Sequence, residues 1–503
     1  MDLNKLSSQD LDSLFQVGCF FVLNDLPVGT QFAIDGSSWL TGPLFQGVKL
    51  IPPGFHIITI SPAPTKLPHN LGSSSSSQET FSAPGIGYQV KKGLIRFFKR
   101  QEKVIRHFDA TLEDFKTTHD AAEHTITSLD YMKTIDSKLA PYPMKDYDRW
   151  RALTNYVTTE QVSKIIGFDN QEDALLDSLI SNNVSLSSHP PPPLSNSLPN
   201  RTQWGKPRTQ KDELQVDTNQ HPQSQFKERT TSWPFIDLKR SWPKDALGPE
   251  LTKWSRDKSW LFNHLMYHQF NNDPKEVLGL LQLSFVTFIE IQSIQSFEFY
   301  QSLMNLIVKA NLSELLELSK PSSDHQDSSS RTSIIEEKKI NYLSLNLDII
   351  KVFSVQLKFL KSNFFSESME DFQIENWFFG VVDRFRMNLN FITHFLIKDS
   401  HDLFKQSVGE TVDNDKDYER RKRGNEELQK SLEGIDWPGM QADCKRFDWN
   451  VKDLKIPITQ LGNPNLSEIQ DLLVEDCEDD DEEDETSDEE EEEFKPVLVT
   501  TYP

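Results

Sequence analysis

The sequence predicts a multidomain α and β protein: a β-rich N-terminal part, a helical C-terminal part, and a solvated acidic tail. Three observations carry this reading. From about Leu14 to Phe108, short β-branched and aromatic runs alternate with turn residues. From Trp233 to about Trp449, large apolar residues recur at helical spacing. Between these parts, 170–229 is rich in Ser, Asn, Gln and Pro and holds little that could form a core. The expected domains are a β-rich domain with terminal helices over 14–168, a disordered linker over 169–229, a helical domain over 230–450, and a disordered acidic tail over 451–503 that ends in a strand-forming peptide.

In the first domain, Cys19–Leu23, His56–Ser61 and Gly93–Phe98 read as strands. Thr30–Ile34 alternates, with Phe32 and Ile34 on one face of a half-buried strand. Pro27 with Gly29, Gly42-Pro43, and Pro52-Pro53-Gly54 force chain reversals, and Pro52-Pro53-Gly54 should set the strand that starts near Phe55. Trp39 and Phe45 fall in loops on this reading, where a packed domain seldom leaves large aromatics loose. The run Ser73–Ser77 has no apolar content and reads as an inserted loop. From Leu112 to Gly167 the pattern turns helical, interrupted at Pro141 and Pro143. Thr158 with Gln161 forms a capping box there, and Gly167 is a C-terminal stop.

Pro190–Pro193 in the linker can serve as an SH3 or WW ligand, but such a run is more often a stiff spacer. The strongest helix start in the chain is Asp273-Pro274-Lys275-Glu276: Asp as N-cap, Pro at the first position, Glu at the third. Leu278, Leu281, Phe285, Phe288 and Ile289 then fall on one stripe. A second helix carries Phe297, Tyr300, Met304 and Ile307, and a third carries Leu343, Leu347, Ile350 and Leu357. Asp413–Glu433 is highly charged, and its Arg420–Arg423 quartet reads either as a weak nuclear-import signal or as a solvated helix face.

The formal net charge is −24, from 53 basic and 77 acidic residues. Glu475–Glu493 alone holds 16 acids and no base, so 61 acids face 53 bases elsewhere and the acidity is mostly a tail. No basic footprint for nucleic acid is present. A hydrophobic share of 36% and a mean hydropathy of −0.54 require large solvated parts, although 33 Phe can still build cores. Cys19, Cys444 and Cys477 are sparse and far apart, which argues against a disulfide or zinc framework. No secretion signal is expected behind Asp2, Asp10 and Asp12, and the longest apolar stretch, Leu278–Ile291, is broken by Gln282, Ser284, Thr287 and Glu290. No phosphate-cradling glycine loop, nucleophile elbow or paired-histidine metal motif appears, so no catalytic residue, metal or cofactor is expected. A lone His56 entering a strand is most simply a hydrogen-bonded structural residue. Asp35 before Gly36-Ser37-Ser38 is most simply a turn former that accepts backbone N–H bonds.

Four blocks resemble the AAR-two family of splicing factors. They are Leu26–His56, with its Gly-Thr-x-Phe-x-Ile-Asp, Ser-Trp, Gly-Pro-x-Phe-x-Gly-Val-Lys and Ile-Pro-Pro-Gly-x-His pieces; Leu139–Pro143 with Trp150–Val157; Asp273–Val286; and Arg446–Trp449. The resemblance implies an N-terminal β-sandwich-like domain and a C-terminal all-α domain of VHS-like architecture. It further implies a non-enzymatic assembly factor of the U5 small nuclear ribonucleoprotein (U5 snRNP), shared between cytoplasm and nucleus and acting as a monomer within a protein complex. Such a factor binds the large central U5 scaffold protein, holds its RNase-H-like and Jab/MPN-like domains together, and keeps the helicase away until phosphorylation releases it. The competing reading is an acidic chaperone or adaptor for basic nuclear proteins such as histones.

On this resemblance the partner-binding residues are Phe32, Asp35, Trp39, Phe45, Pro52, Pro53 and His56 in the front block, and Pro496, Val497, Leu498 and Val499 in the tail. The tail residues match in type a family segment that adds to the scaffold protein as a β-strand, although here the acidic run directly precedes them. Ser333 is followed by Glu336 and Glu337, as an acid-directed kinase prefers. One more phosphate changes little beside the acids around Ser487 but much in the serine-rich loop, so Ser328, Ser329, Ser330 and Ser333 are the expected regulatory sites.

Overall fold

The computed structural model describes residues 17–61, 91–115, 129–168, 172–178, 231–319, 340–365, 369–408 and 415–458. The serine run at 73–77, the proline run at 190–193, the serines expected to be regulatory, the acidic run and Pro496–Val499 lie outside them. The chain divides into two compact units, Met1–Val381 with Gly439–Trp449, and Val382–Pro438 with Asn450–Pro503.

The N-terminal part of the first unit is a β-sandwich. Ten strands are described: β1 (Cys19–Asn24), β2 (Gln31–Ile34), β3 (Ser37–Leu40), β4 (Gly47–Ile51), β5 (Gly54–Ser61), β6 (Lys92–Phe98), β7 (Lys103–Asp109), β8 (Asp114–Phe115), β9 (Ala140–Pro141) and β10 (Asp173–Asp177). One sheet runs β8-β7-β1-β4-β9, the other β10-β6-β5-β2-β3. β1 pairs in parallel with β7, and β4 with β9; the other pairings are antiparallel. Phe21, Val48, Phe98, Phe32, Ile34 and Ile58 fill the space between the sheets. Phe32 and Ile34 are thus buried on one face of β2, as the alternation predicts.

Asp35 and Gly36 form the two-residue turn between β2 and β3, both at positive φ (51° and 84°). This is the primed hairpin turn that Asp-Gly favours, because its twist matches that of the strands. Trp39 is corrected by the structure: it stands on β3, facing Phe32 across the hairpin, and Phe45 alone lies in a loop. The linker reading also needs correction at Asp173–Asp177, which forms β10 along β6. Its acids are held by cations: Arg96, buried on β6, bonds Asp173 at 2.5 Å, Glu102 at 2.5 Å and Glu172 at 2.7 Å. Arg106 Nε on β7 donates to Asp173 at 2.6 Å, so this carboxylate links the two sheets. Arg96 holds the Glu172 carboxyl below its usual range.

Three short helices follow β8: α1 (Leu129–Ile135), α2 (Tyr147–Thr154) and α3 (Thr159–Ile165). Thr158 and Gln161 make the expected reciprocal capping box, and Gly167, at φ 80°, donates its N–H to Val162 just beyond the end of α3. β8 and β9 interrupt what the sequence reads as a helical stretch. The helical array then comprises α4 (Pro249–Arg256), α5 (Ser259–His268), α6 (Pro274–Ile291), α7 (Ile294–Val308), α8 (Leu312–Leu318) and α9 (Tyr342–Phe359). Asp273 caps α6 by accepting the Lys275 N–H at 3.0 Å, with Pro274 in the first turn. The three predicted stripes fall on α6, α7 and α9, and all their residues are buried except the half-buried Phe288 and Ile289.

α10 (Met369–Val408), α11 (Asp415–Glu433) and α12 (Trp437–Cys444) complete the described helices. In the second unit, Asp399 accepts from Arg421 at 2.5 Å and from Asn425 at 2.9 Å, and the Arg420–Arg423 quartet is exposed on α11.

Gly54 opens β5 at φ 137°, and a Cβ placed there meets nothing within 4 Å. A side chain would therefore cost backbone strain without a clash. Gly54→Val is expected to lower stability by more than about 1 kcal/mol, read as a fall in the melting temperature of the full chain; unchanged melting would remove the turn from the account.

Candidate functional site

The four sequence blocks meet at one place, the junction between the sandwich and α6 and α9. At its centre is the carboxylate of Asp35, which is buried. Its Oδ1 accepts the Ile57 N–H at 3.0 Å, and its Oδ2 accepts the Tyr142 hydroxyl at 2.7 Å and lies 2.5 Å from His56 Nδ1. The other ring nitrogen of His56, Nε2, donates to the Pro52 carbonyl at 2.8 Å. Both ring nitrogens are engaged inside the protein, so this imidazole has no face left to act as a base on a substrate. Asp35 does accept a backbone N–H, and it does shape the turn, as its place before Gly36 predicts. The carboxylate raises the Tyr142 hydroxyl, after burial itself, far above a phenol's ordinary range.

Of the front-block residues expected to bind a partner, Phe32, Asp35, Pro52 and His56 are interior. They fix the shape of a surface and do not form it. Trp39 and Phe45 are half-buried and close a triad with Phe32, at ring distances of 5.3, 5.0 and 6.2 Å. Pro53 is half-buried beside the turn.

The second block closes over the first. The Trp150 indole N–H donates to the Phe55 carbonyl at 2.8 Å, and its ring stacks on Phe55. The third block then locks to the second through polar groups inside α6. Gln282 is fully buried; its Oε1 accepts the Tyr156 N–H at 2.7 Å, and its Nε2 donates to Asn155 at 2.7 Å and to the Ala152 carbonyl at 3.2 Å. Gln161 donates to the Glu276 carbonyl at 3.0 Å. Ser284 and Thr287 bond carbonyls of their own helix. The polar residues that break the apolar run thus sit in the core, each with a partner, as buried polar groups require. Only the folded chain reveals this, because Gln282 and Ala152 are 130 positions apart.

Cations from outside the two helices cap their C-terminal ends. Lys91 Nζ donates to the Glu290 carbonyl at 3.4 Å. Arg149 donates to the Lys358 carbonyl at 2.8 Å and covers the Phe359 ring, and Arg446 of the fourth block donates to the Leu357 carbonyl at 2.9 Å. Positive charge at a helix C-terminus is favourable and also satisfies orphan carbonyls. These groups border a cleft of about 770 Å³ with Gly36, Ser37, Thr59 and Lys361 on its walls. Its walls carry neutralised helix ends and one hydroxyl–carboxylate pair, Ser37 donating to Asp146 at 3.3 Å. Among the described residues no group of His, Cys, Asp or Glu could hold a metal ion, and no helix is long and apolar enough to cross a membrane. Burial pushes the Cys19 thiol upward and the Cys444 thiol to about 12.

The site is thus a junction at which a β-sandwich is keyed to a helical array by buried polar clamps, the architecture of a two-layer α and β protein. Comparisons with known proteins narrow the class. The family model described as AAR2 N-terminal domain matches residues 17–167, and the one described as AAR2 C-terminal repeat region matches 233–438. The chain belongs to the AAR2 family. It is 28% identical to the human Protein AAR2 homolog over 299 residues, which cover 59% of this chain and 71% of the relative. With the mouse homolog it shares 26% over 310 residues, 61% of this chain and 74% of the relative. The Caenorhabditis elegans homolog matches at 29% over 160 residues, 32% of this chain and 38% of the relative.

Two tests probe the junction. A Cβ on Gly279 of α6 would stand 2.3 Å from Gln161 Oε1 and 2.6 Å from the Tyr156 carbonyl oxygen, which is backbone and cannot swing away. Gly279→Ala should gain up to about 1 kcal/mol in helix propensity but lose about 1–3 kcal/mol to overpacking. A net fall in melting temperature is expected, and a rise would show that the junction yields.

Glu290 supplies the second test. Buried at the end of α6, its carboxyl is raised to about 7, first by desolvation and then by the neighbouring Asp35, against the lowering pull of Lys91, the Gly36 N–H and Lys361. The folded state therefore holds a proton that the unfolded state has released between roughly pH 4.5 and 7. The contribution is fully present below the unfolded value and is lost as pH rises through about 7. Across that window the native protein should lose on the order of 3 kcal/mol relative to Glu290→Gln, measured by denaturant unfolding at several pH values. Parallel pH profiles for the two proteins would exclude this carboxyl as the cause.

Proposed function

We propose that this protein is a splicing assembly factor that binds the large scaffold protein of the U5 snRNP and excludes the helicase until it is released. The observation that carries the reading is membership of the AAR2 family across both the sandwich and the helical array. The geometry supports it: the clamps at the junction hold sandwich and helices as one docking body, and pre-organised surfaces lose less on binding. The family resemblance supplies the RNase-H-like and Jab/MPN-like domains of the scaffold as the two bodies held, with exchange in the cytoplasm and nucleus.

Two sequence elements complete the proposal. Pro496–Val499 would add to a sheet edge of the scaffold as a strand, with Val497 and Val499 on one side and Leu498 on the other. Phosphate at Ser328, Ser329, Ser330 or Ser333 would switch docking by adding charge to a loop of modest charge. The second reading, an acidic chaperone for histones, is favoured by one observation, the 16 acids of Glu475–Glu493.

Affinity purification of the tagged full chain followed by mass spectrometry separates the two. The U5 scaffold protein is the expected main partner; recovery of histones in its place would overturn the splicing reading. A chain truncated after Glu493 should bind the paired scaffold domains at least about tenfold more weakly. Equal binding would leave the scaffold reading intact and remove the terminal strand from it.

A further inference from the structure

A two-sheet sandwich has four edges, and here three of them are protected. β8 is two residues long and carries Asp114. β9 is two residues long and contains Pro141, which has no N–H to offer. β10 has Asp173 and Asp177 at its two ends, paired with Arg96 and Lys92. Short length, proline and charge are the usual means by which proteins keep sheet edges from pairing further.

The fourth edge, β3, has none of them. Its sequence, Ser37-Ser38-Trp39-Leu40, holds no charge and no proline, and among the described residues it pairs only with β2. In a two-residue hairpin the residues flanking the turn exchange hydrogen bonds, and exchange recurs at every second pair. Ile34 with Ser37, and Phe32 with Trp39, are those pairs. The N–H and C=O groups of Ser38 and Leu40 therefore point away from the sheet, and no described backbone group meets them. Exposed apolar side chains accompany this edge: Leu40 at 65%, Leu44 at 69%, and Val28, at 62%, next to Gly29, whose N–H bonds Thr41. A groove of about 480 Å³ runs beside the edge, floored by Trp39, Ala140, Pro141 and Pro143, and among the described residues on its walls the one charge is Lys145.

We propose that the β3 edge is a docking site for an extended segment of a protein partner, alternately apolar and bearing a carboxylate, which adds to the sheet as a further strand. Backbone pairing to Ser38 and Leu40 supplies the main-chain recognition. The floor of the groove on the Trp39 face takes the alternate apolar side chains, Leu40 covers the opposite face of the added strand, and Lys145 selects the acid. The partner's chemistry follows from the groove, which offers two donors, two acceptors, apolar walls and one cation. This site stands or falls separately from the identity of the scaffold partner.

The test pans a displayed library of random dodecapeptides on the immobilised full chain. Enriched peptides should carry apolar residues at alternate positions and at least one Asp or Glu, and bound peptide should slow amide hydrogen exchange at Ser38 and Leu40. Two variants probe the site directly. Ser38→Pro removes an outward N–H that the hairpin does not use, and Leu40→Lys places a charge on the edge without touching the backbone. Each should weaken the enriched peptides at least about tenfold. If Ser38→Pro lowers the melting temperature, Leu40→Lys alone decides the outcome. No enrichment, or peptides that bind both variants as well as the native chain, would overturn the proposal. A synthetic peptide of residues 494–503 that binds this edge more tightly than any enriched peptide would also overturn it, by assigning the edge to the chain's own terminus.

Discussion

The carboxylate of Asp35 is the constraint on which the rest of the first unit depends. A buried carboxylate must be met by donors, or its desolvation costs the fold several kcal/mol. Here the donors come from β5, from His56 and from the strap that carries Tyr142. Satisfying one side chain therefore aligns the hairpin, the neighbouring strand β5, and a segment 107 residues away. The adjacent Gly36 N–H then meets Glu290 at the end of α6. One turn thus connects the sandwich core to the helical array.

What holds the array in register is polar. Apolar packing between α6 and the second block would tolerate sliding, since it is not directional. Gln282 and Gln161 each bond specific backbone groups across the junction, and a shift of one residue would leave those groups buried and unpaired. Arg149 and Lys91 add the same selectivity at the helix ends, where the carbonyls they meet exist at one position only. The clamps contribute orientation more than net stability, as buried polar networks commonly do.

Much of the local structure is legible in the residues. The Asp35-Gly36 turn, the Thr158–Gln161 capping box, the Asp273-Pro274 helix start and the three apolar stripes each depend on neighbours a few positions away, so spacing alone reveals them. The roles of Asp35 and His56 as hydrogen-bonded structure are readable for the same reason. β10 is not, because its acids look like a solvated linker until Arg96 and Arg106 are seen to hold Asp173. Trp39 reads as a loop residue because Ser37-Ser38 looks like turn chemistry, whereas the turn is already complete at Gly36. Gln282 and Glu290 read as interruptions of an apolar run, since their partners lie in distant parts of the sequence. The candidate site is half visible: its aromatic and turn residues can be named, but not that several face inward.

The placement of charge bears on which activity belongs to the family and which to this chain. The acidic run begins at Glu475, whereas the family match ends at residue 438. The family match therefore resides in the sandwich and the helices, and the acidic run lies outside it. A basic protein could be attracted by the acidic run alone, with no need for the Asp35 turn or the clamps at the junction. Long-range attraction of that kind is screened by salt and selects sign, not shape. The buried polar order of the junction, by contrast, fixes one relative placement of sandwich and helices, which is the property a shape-selective surface requires.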